Sequence, residues 1–305
     1  MSLSQKLNSK NYCNMPELPE VETIVKDLNK TVQGLKITDV WTDWKKMIKK
    51  PSYPEFVKQI KNRKILKAKR RAKYILIDLS ENKTLIIHQK ISGHLLYGKW
   101  AVKEKEIKSL LPGPLKNDPK NRFIRFILYL NNKKQLALSD LRRFGKALLV
   151  DTDKVKKLEE IRKLGPEPLE KSFTFKKFKE ILQNRKGKIK QVLMNQNIIA
   201  GIGNIYSDEI LFDAKIHPLK QINKLKEKDL KRIYNSMKNI LRRAIILRGD
   251  SMSDYRDVSG KKGGYQDVQK IYQREGQECY RCKGIIKRIK IGDRSAHFCS
   301  TCQKL

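Results

Sequence analysis

Leu164-Gly-Pro-Glu-Pro-Leu169 is the stretch at which the hydrophobic period of the chain changes. Upstream of it, short apolar or alternating runs at residues 65–68, 74–79, 84–88, 94–97, 123–130, 135–138 and 146–150 are separated by turn signals such as Ser80-Glu-Asn82 and Asn131-Asn-Lys-Lys134. Several short strands at this spacing indicate a β-sandwich or barrel. Downstream, residues 173–183, 188–195, 204–214 and 225–247 carry apolar residues three or four apart, which is helical spacing. One helix leads the β region. It has Pro19 in its first turn, Glu20 and Glu22 close behind, an apolar face of Val21, Ile24, Val25, Leu28 and Val32, and Gly34 to close it. Residues 111–121 (LPGPLKNDPKN) read as a loop, and 249–264 (GDSMSDYRDVSGKKGG) have the composition of a mobile loop. Internal repeats are absent.

The C-terminal end adds a third unit. Cys279-x2-Cys282 is followed after sixteen residues by Cys299-x2-Cys302, a zinc-ribbon spacing. Each C-x2-C presents two thiolates from one tight turn, and the intervening length suits a β-hairpin that returns the second pair to the same ion. Four thiolates leave no open position on Zn²⁺, so one structural ion is expected. Two disulfides are the competing reading, disfavoured in a chain whose first fourteen residues are too polar for a secretory signal. Cys13 has no partner in sequence.

The chain has 305 residues, enough for about two domains with real cores. No run approaches the roughly 18 apolar residues of a membrane span, which excludes a membrane-embedded protein. Lys+Arg number 69 against 32 Asp+Glu, a net charge of +37. That balance points to a polyanion, most simply nucleic acid. Clustering matters more than the sum: residues 45–73 hold thirteen basic residues and one acid, and 279–305 hold seven against Asp293. Two separated basic segments suit a surface that grips phosphates from two sides, although solvated lysine faces explain the charge equally well.

Six motifs in order narrow the choice: Met15-Pro-Glu-Leu-Pro-Glu-Val-Glu-Thr23, RRAKY (70–74), DLRRFG (140–145), LGPEPL (164–169), GIGNIYSDEILF (201–212) and the four-cysteine end. From Met15 onward the chain resembles the formamidopyrimidine-DNA glycosylase family, and its opening looks like the branch acting on oxidised purines. The resemblance implies an α+β multidomain fold: an N-terminal β-sandwich with a leading helix, then a helical helix–two-turn–helix domain and a zinc-ribbon β-hairpin. The division expected is 1–14 an extension, 15–150 the catalytic sandwich, 151–169 a linker, 170–264 the helical domain with a lesion loop, and 265–305 the zinc finger. The implied partner is damaged double-stranded DNA, bound by a monomer in a bacterial-type cytoplasm at the nucleoid.

The resemblance also assigns roles. Pro16 becomes the nucleophile, an N-terminal proline freed when the initiator Met is removed. A secondary α-amine titrates near pH 8, roughly, so part of it is unprotonated at pH 7. It attacks the sugar C1′, expels the damaged base and leaves a Schiff base. The helix start just beyond favours the neutral amine. Glu17 is implied to protonate the sugar or leaving group, with Glu20 in support. Lys73 is implied near the target phosphate and the elimination step. Arg294, between the second and third cysteines, is implied to grip the phosphates around the lesion and is counted with the catalytic set. Taken singly, these would be ordinary helix-start carboxylates and solvated cations.

A base inside a duplex cannot be attacked, so the damaged nucleotide is flipped out and side chains fill the gap. By resemblance Arg142 stands opposite the orphan base, Phe144 wedges between bases, and the third filler falls at Ile91, where the family usually has Met. His88, Arg185, Lys190, Asn204 and Tyr272 fall on DNA-contact positions. Asn121 aligns with a DNA-contact histidine, and 253–265 cover the loop that closes over a flipped purine.

One departure touches the mechanism. With residues ahead of it, the Pro16 nitrogen is an amide whose lone pair is delocalised, and it forms no Schiff base. The expectation is that translation begins at Met15, which also removes Cys13. A genuine extension would instead leave a non-catalytic lesion-binding protein. A pyrimidine-preferring glycosylase is the same-fold alternative. A generic RNA-binding zinc ribbon explains the charge and cysteines but not the opening motif or the Arg142/Phe144 pair.

Overall fold

The computed structural model describes residues 15–103, 106–183 and 185–305, so the expectations placed on residues 1–14 and on Cys13 lie outside the described residues. Helix α1 (Leu18–Thr31) starts where Pro19 suits the first turn and the Glu20 carboxylate accepts the Glu17 N–H at 2.9 Å, one arm of a capping box. Its apolar face is split. Val21, Ile24, Val25 and Leu28 enter the core of the β domain, whereas Leu18 enters the core of the helical domain. One helix therefore joins the two cores, and its first turn lies at their junction.

Strands β1 (Ile37–Thr42) and β2 (Ile48–Lys50), helix α2 (Tyr53–Ile60), and strands β3 (Ile65–Arg71), β4 (Tyr74–Leu79), β5 (Lys83–His88) and β6 (Gly93–Gly98) follow. Next come a hairpin of β7 (Trp100–Lys103) and β8 (Glu106–Ser109), helix α3 (Pro114–Asn117), and strands β9 (Ile124–Leu130), β10 (Gln135–Asp140) and β11 (Lys146–Asp151). They form two sheets, ordered β1-β9-β10-β6 and β2-β11-β5-β4-β3, antiparallel throughout except for β2 beside β11. Ile75, Ile77, Leu85 and Ile87 of one sheet face Phe126, Leu128 and Leu138 of the other in a single buried cluster, so this is a sandwich.

Beyond α4 (Glu159–Arg162), helices α5 (Phe175–Gln183), α6 (Ile189–Met194), α7 (Asn204–Asp213) and α8 (Glu227–Ile246) pack around Leu193, Ile210, Ile233 and Leu241. Helix α7 is buried on nearly every side, including its polar residues Ser207, Asp208 and Glu209. Strands β12 (Ile286–Ile291) and β13 (Arg294–Cys299) make the C-terminal hairpin.

Two loop expectations change. Residues 111–121 contain α3 and a 3-10 turn at Pro119–Arg122, because each begins with a proline and Asp118 accepts the Lys120 N–H. Segment 249–264 has no helix before its end and no strand, but its polar composition hides two anchors: Tyr255 and Val258 are buried in the sandwich core.

Candidate active site and nucleic-acid interface

The α6–α7 connection meets the start of α1 closely at two glycines. Gly201 has φ +89°, and a Cβ there would lie 2.7 Å from Cβ of Leu18. At Gly203 a Cβ would lie 2.5 Å from the Glu17 carboxyl and 2.7 Å from Nζ of Lys73. The free N–H groups at the α7 N-terminus then reach Glu17: Gly203 donates to Oε2 at 2.5 Å and Ile205 to Oε1 at 2.9 Å. Burial nevertheless dominates and pushes the Glu17 carboxyl up to about 7, against Lys73 and the two N–H donors that pull it down. A carboxyl that is half protonated near neutrality is suited to general acid work.

Lys73 follows Ala72 in the turn between β3 and β4, where Ala72 takes φ +51°. That turn is held by Glu167 of the LGPEPL motif, which accepts from the Ala72 N–H at 2.6 Å and from Arg70 at 2.5 Å and Arg71 at 3.1 Å. Lys73 is buried, and among the described residues it has no ion pair. Burial lowers its pKa, with Arg294 adding to the effect and Glu17 and Glu20 opposing it. Glu20 closes the site from behind: one oxygen holds the Glu17 N–H, the other accepts from Tyr206 at 2.5 Å and from the Asp250 N–H at 2.7 Å. Pro16 is buried beside Glu17.

Two turns, carrying Ile91 and Arg142/Phe144, are bonded to each other. Asp140, fully buried, accepts from the Ser92 hydroxyl, the Arg142 N–H at 3.3 Å and the Gly145 N–H at 2.8 Å. This ties the turn carrying Ile91 to the turn carrying Arg142 and Phe144, whose ring is 53% exposed. Arg294 is exposed at the tip of the β12–β13 hairpin, just after Gly292. At the other end of the hairpin the Sγ atoms of Cys279, Cys282, Cys299 and Cys302 lie within 4.8 Å of one another. Separations of 3.2 to 3.8 Å are far beyond an S–S bond and near the ~3.8 Å edge of a tetrahedron with 2.3 Å Zn–S bonds. The four thiolates fit one zinc ion, and the two-disulfide reading is set aside.

Three family models cover most of the chain. Residues 15–147 match the formamidopyrimidine-DNA glycosylase N-terminal domain, 164–256 its H2TH domain, and 276–305 a zinc finger found in FPG and IleRS. The chain belongs to the formamidopyrimidine-DNA glycosylase family. Among its relatives, the formamidopyrimidine-DNA glycosylase of Pelotomaculum thermopropionicum is 40% identical over 95% of this chain and 100% of its own. That of Chloroflexus aurantiacus is 39% identical over 95% and 98%. A point mutant of the Lactococcus lactis enzyme in complex with Fapy-dG DNA superposes with a TM-score of 0.84 at 33% identity, over 95% of this chain and 100% of that one. A complex of the same enzyme with abasic-site DNA gives 0.83. The chain is thus a DNA glycosylase of repair, a DNA-binding zinc protein. No described helix is long and apolar enough to cross a membrane.

Within this glycosylase fold the residues expected from sequence separate into groups. Glu17 and Lys73 converge on Gly203, Pro16 is buried next to Glu17 in the chain, and Arg294 is close enough to perturb Lys73. Arg142, Phe144 and Arg185 are exposed and Ile91 is half-buried. His88 is buried against Tyr74, and its Nδ1 accepts the Lys90 N–H at 3.0 Å. Burial holds it neutral, which leaves Nε2 as the protonated nitrogen and a donor. Asn204 sits at the first turn of α7, its amide donating to the Tyr272 hydroxyl at 3.4 Å.

Three of the residues expected at DNA contacts are buried and bonded within the protein. Lys190, 1% exposed, pairs with Asp208 at 2.5 Å and donates to the Ser295 carbonyl at 2.8 Å, which locks α6 and α7 to the strand after Arg294. Tyr272 is 1% exposed, with its ring against His297. Asn121 is 0% exposed, its amide spent on Pro114, Gly260 and His94. Residues that sequence reasoning missed are the holders: Glu167, Asp140, Ser92, Tyr206, Asp208 and Asp250. Only Glu167, Asp140, Tyr206 and Asp208 stood inside a quoted motif.

Proposed function

We propose that this glycosylase is a bifunctional DNA glycosylase/AP lyase that removes oxidised purines, 8-oxoguanine and formamidopyrimidines, from double-stranded DNA as a monomer. The observation that carries the reading is Glu17: a carboxyl raised to about 7, next to Pro16 and across Gly203 from the buried Lys73. The Pro16 amine forms a bond to C1′ as the C1′–N bond to the base breaks, and Glu17 delivers its proton to the sugar or departing base. After the nitrogen loses its proton, its lone pair closes the C1′=N⁺ iminium as the C1′–O4′ bond breaks and O4′ takes a proton. The iminium then loses a C2′ proton, and the C3′–O and then the C5′–O bonds to the phosphates break in β- and δ-elimination. Lys73 and Arg294 bring positive charge to the phosphates. Phe144 and Ile91 fill the stack and Arg142 meets the orphan base. Zinc, when bound, supplies no reacting group and keeps the Arg294 hairpin folded.

This chemistry requires the Pro16 nitrogen to be a free secondary amine. A chain beginning at Met15, with that Met removed, is therefore expected to be trapped by borohydride on an 8-oxoguanine duplex, and a chain retaining Met1 is not. Equal trapping of both, with Met1 confirmed intact by mass spectrometry, overturns the amine mechanism. The Lactococcus lactis relative is also known in complex with oxidised-pyrimidine DNA. Excision is therefore compared on 8-oxoguanine and thymine glycol duplexes, and faster release of thymine glycol overturns the purine assignment. Binding of abasic analogues without nicking by either form would mark a non-catalytic lesion binder.

A further inference from the structure

Asn121 occupies a position where a DNA contact is expected, yet its side chain is sealed in protein. Its two amide hydrogens go to the Pro114 carbonyl at 2.8 Å and the Gly260 carbonyl at 3.0 Å. Its oxygen lies 3.0 Å from Nε2 of His94, which burial holds neutral with a pKa near 4, so Nε2 carries the proton and donates. Every polar atom of Asn121 is thus occupied. The approach to Gly260 is so close that a Cβ there would stand 2.5 Å from the Asn121 amide nitrogen.

Neighbouring contacts repeat the pattern. Arg256, nearly fully buried, donates to both oxygens of Asp118, at 2.6 and 3.4 Å. Lys120 pairs with Asp254 at 2.5 Å. The Tyr97 N–H donates to the Val258 carbonyl at 2.7 Å, and Tyr255 and Val258 are buried in the sandwich core. At its other end the same segment is bonded to the catalytic helix, through the Asp250 N–H on Glu20 and through Arg248, which bridges Asp27 and Asp257. Segment 250–260 is therefore fastened at its base to the residue behind Glu17 and at its tip to residues 114–121.

We propose that Asn121, with Asp118, is a positioning residue that clasps segment 250–260 to the β-sandwich before DNA arrives, and so fixes the wall against which a purine-sized lesion base is selected. The proposal rests on the glycosylase/lyase reading above. A wall of this kind matters for extracting a base and not for nicking a site that has already lost one. In Asn121→Ala, two carbonyls and His94 lose their partner in a buried place.

The test has two arms. In the free full-length protein, hydrogen exchange of the amides at 255–260 is expected to rise at least about tenfold in Asn121→Ala. In the form that borohydride traps, kcat/KM for 8-oxoguanine excision is expected to fall about tenfold or more, with nicking of a preformed abasic site within about twofold of wild type. Asp118→Asn, which keeps size and removes the charge held by Arg256, is expected to act in the same direction and serves if Asn121→Ala does not fold. Equal loss on both substrates marks a DNA contact and overturns the proposal. Unchanged exchange overturns it as well, and so does faster exchange with unaltered excision. If wild type excises no oxidised base, the function reading fails, while the exchange arm still decides the clasp.

Discussion

Gly203→Ala separates the catalytic geometry from the fold. The backbone tolerates alanine there, since φ is −131°, open to any residue. The new Cβ would meet the Glu17 carboxyl at 2.5 Å and Nζ of Lys73 at 2.7 Å, both ends of flexible side chains. Ordinary contact begins at 3.4 Å, so the carboxyl must retreat by about 0.9 Å and Lys73 by about 0.7 Å. A displacement near 1 Å of a group delivering a proton costs on the order of 10²-fold in rate, or about 2.7 kcal/mol. The retreat also lengthens the bonds from Gly203 and Ile205, which to a carboxyl only half charged near neutrality are worth about 0.5–1.5 kcal/mol each and are weakened rather than lost. Part of that loss is offset, because the carboxyl regains water and alanine restricts the unfolded chain by about 0.4–1 kcal/mol.

Gly165→Ala is the matched control. There the Cβ would stand 2.5 Å from the backbone carbon and oxygen of Ile198, which cannot step aside, so overpacking of about 1–3 kcal/mol is expected. Thermal unfolding and single-turnover excision from an 8-oxoguanine duplex are measured on both variants. Gly203→Ala is expected to keep nearly the wild-type Tm and lose about 10²-fold in rate, while Gly165→Ala loses several degrees and little rate per folded molecule. Wild-type rates in Gly203→Ala would refute the role given to Glu17 placement, as would a Tm loss larger than that of Gly165→Ala.

Excision should follow a bell-shaped pH profile: Glu17 must keep its proton, so the alkaline limb falls above about pH 7, while Pro16 must lose its own, which sets the acid limb. Glu17→Gln is expected to erase the alkaline limb and lower the rate by about 10²–10⁴-fold, read by single-turnover kinetics across pH. Arg294→Ala, which removes one exposed cation from the hairpin tip, is expected to flatten the slope of log K against log salt by about 0.9 in a DNA-binding titration. Cys282→Ser or chelation is expected to release about one zinc per chain and abolish DNA binding, with the sandwich still folded by near-UV circular dichroism and atomic absorption reporting the metal.

The parts legible in sequence were those whose signal is local. Helix α1 announces itself through Pro19, Glu20 and a periodic face, and the zinc ligands through spacing. Two of the edge strands, β1 and β2, were not legible. Residues 37–42 bury only the first and fourth side chains, which is no strand period, and β2 is three residues long. Site residues divide in the same way. Glu17 and Lys73 come from quoted motifs, but what aims Lys73 is Glu167, more than ninety residues away in sequence. Lys190 keeps the residue type expected of a phosphate contact, yet Asp208 and the Ser295 carbonyl occupy its charge. Composition misled at 249–264, where one tyrosine and one valine outweigh nine polar neighbours because they are the ones that enter the core.

The junction between the two cores explains why so much acid is buried there. Leu18 and Val21 lie in different cores, so the first turn of α1 has no solvent face, and its carboxyls must find donors inside. Glu17 takes the N–H groups at the start of α7, and Glu20 takes Tyr206 and the Asp250 N–H. Asp250 itself is pushed up to about 8, by burial first and by Glu20 second. Glu17 and Asp250 hold their protons more tightly folded than unfolded. Their contribution to stability is therefore fully present below pH 4 and declines as pH rises, through about 7 for Glu17 and about 8 for Asp250. Lys73 has the opposite sign: its lowered pKa penalises the folded state while it is charged, and the penalty eases only as pH rises through its folded value. At neutral pH the fold thus carries both penalties at once, and the same burial keeps a proton on Glu17 for transfer.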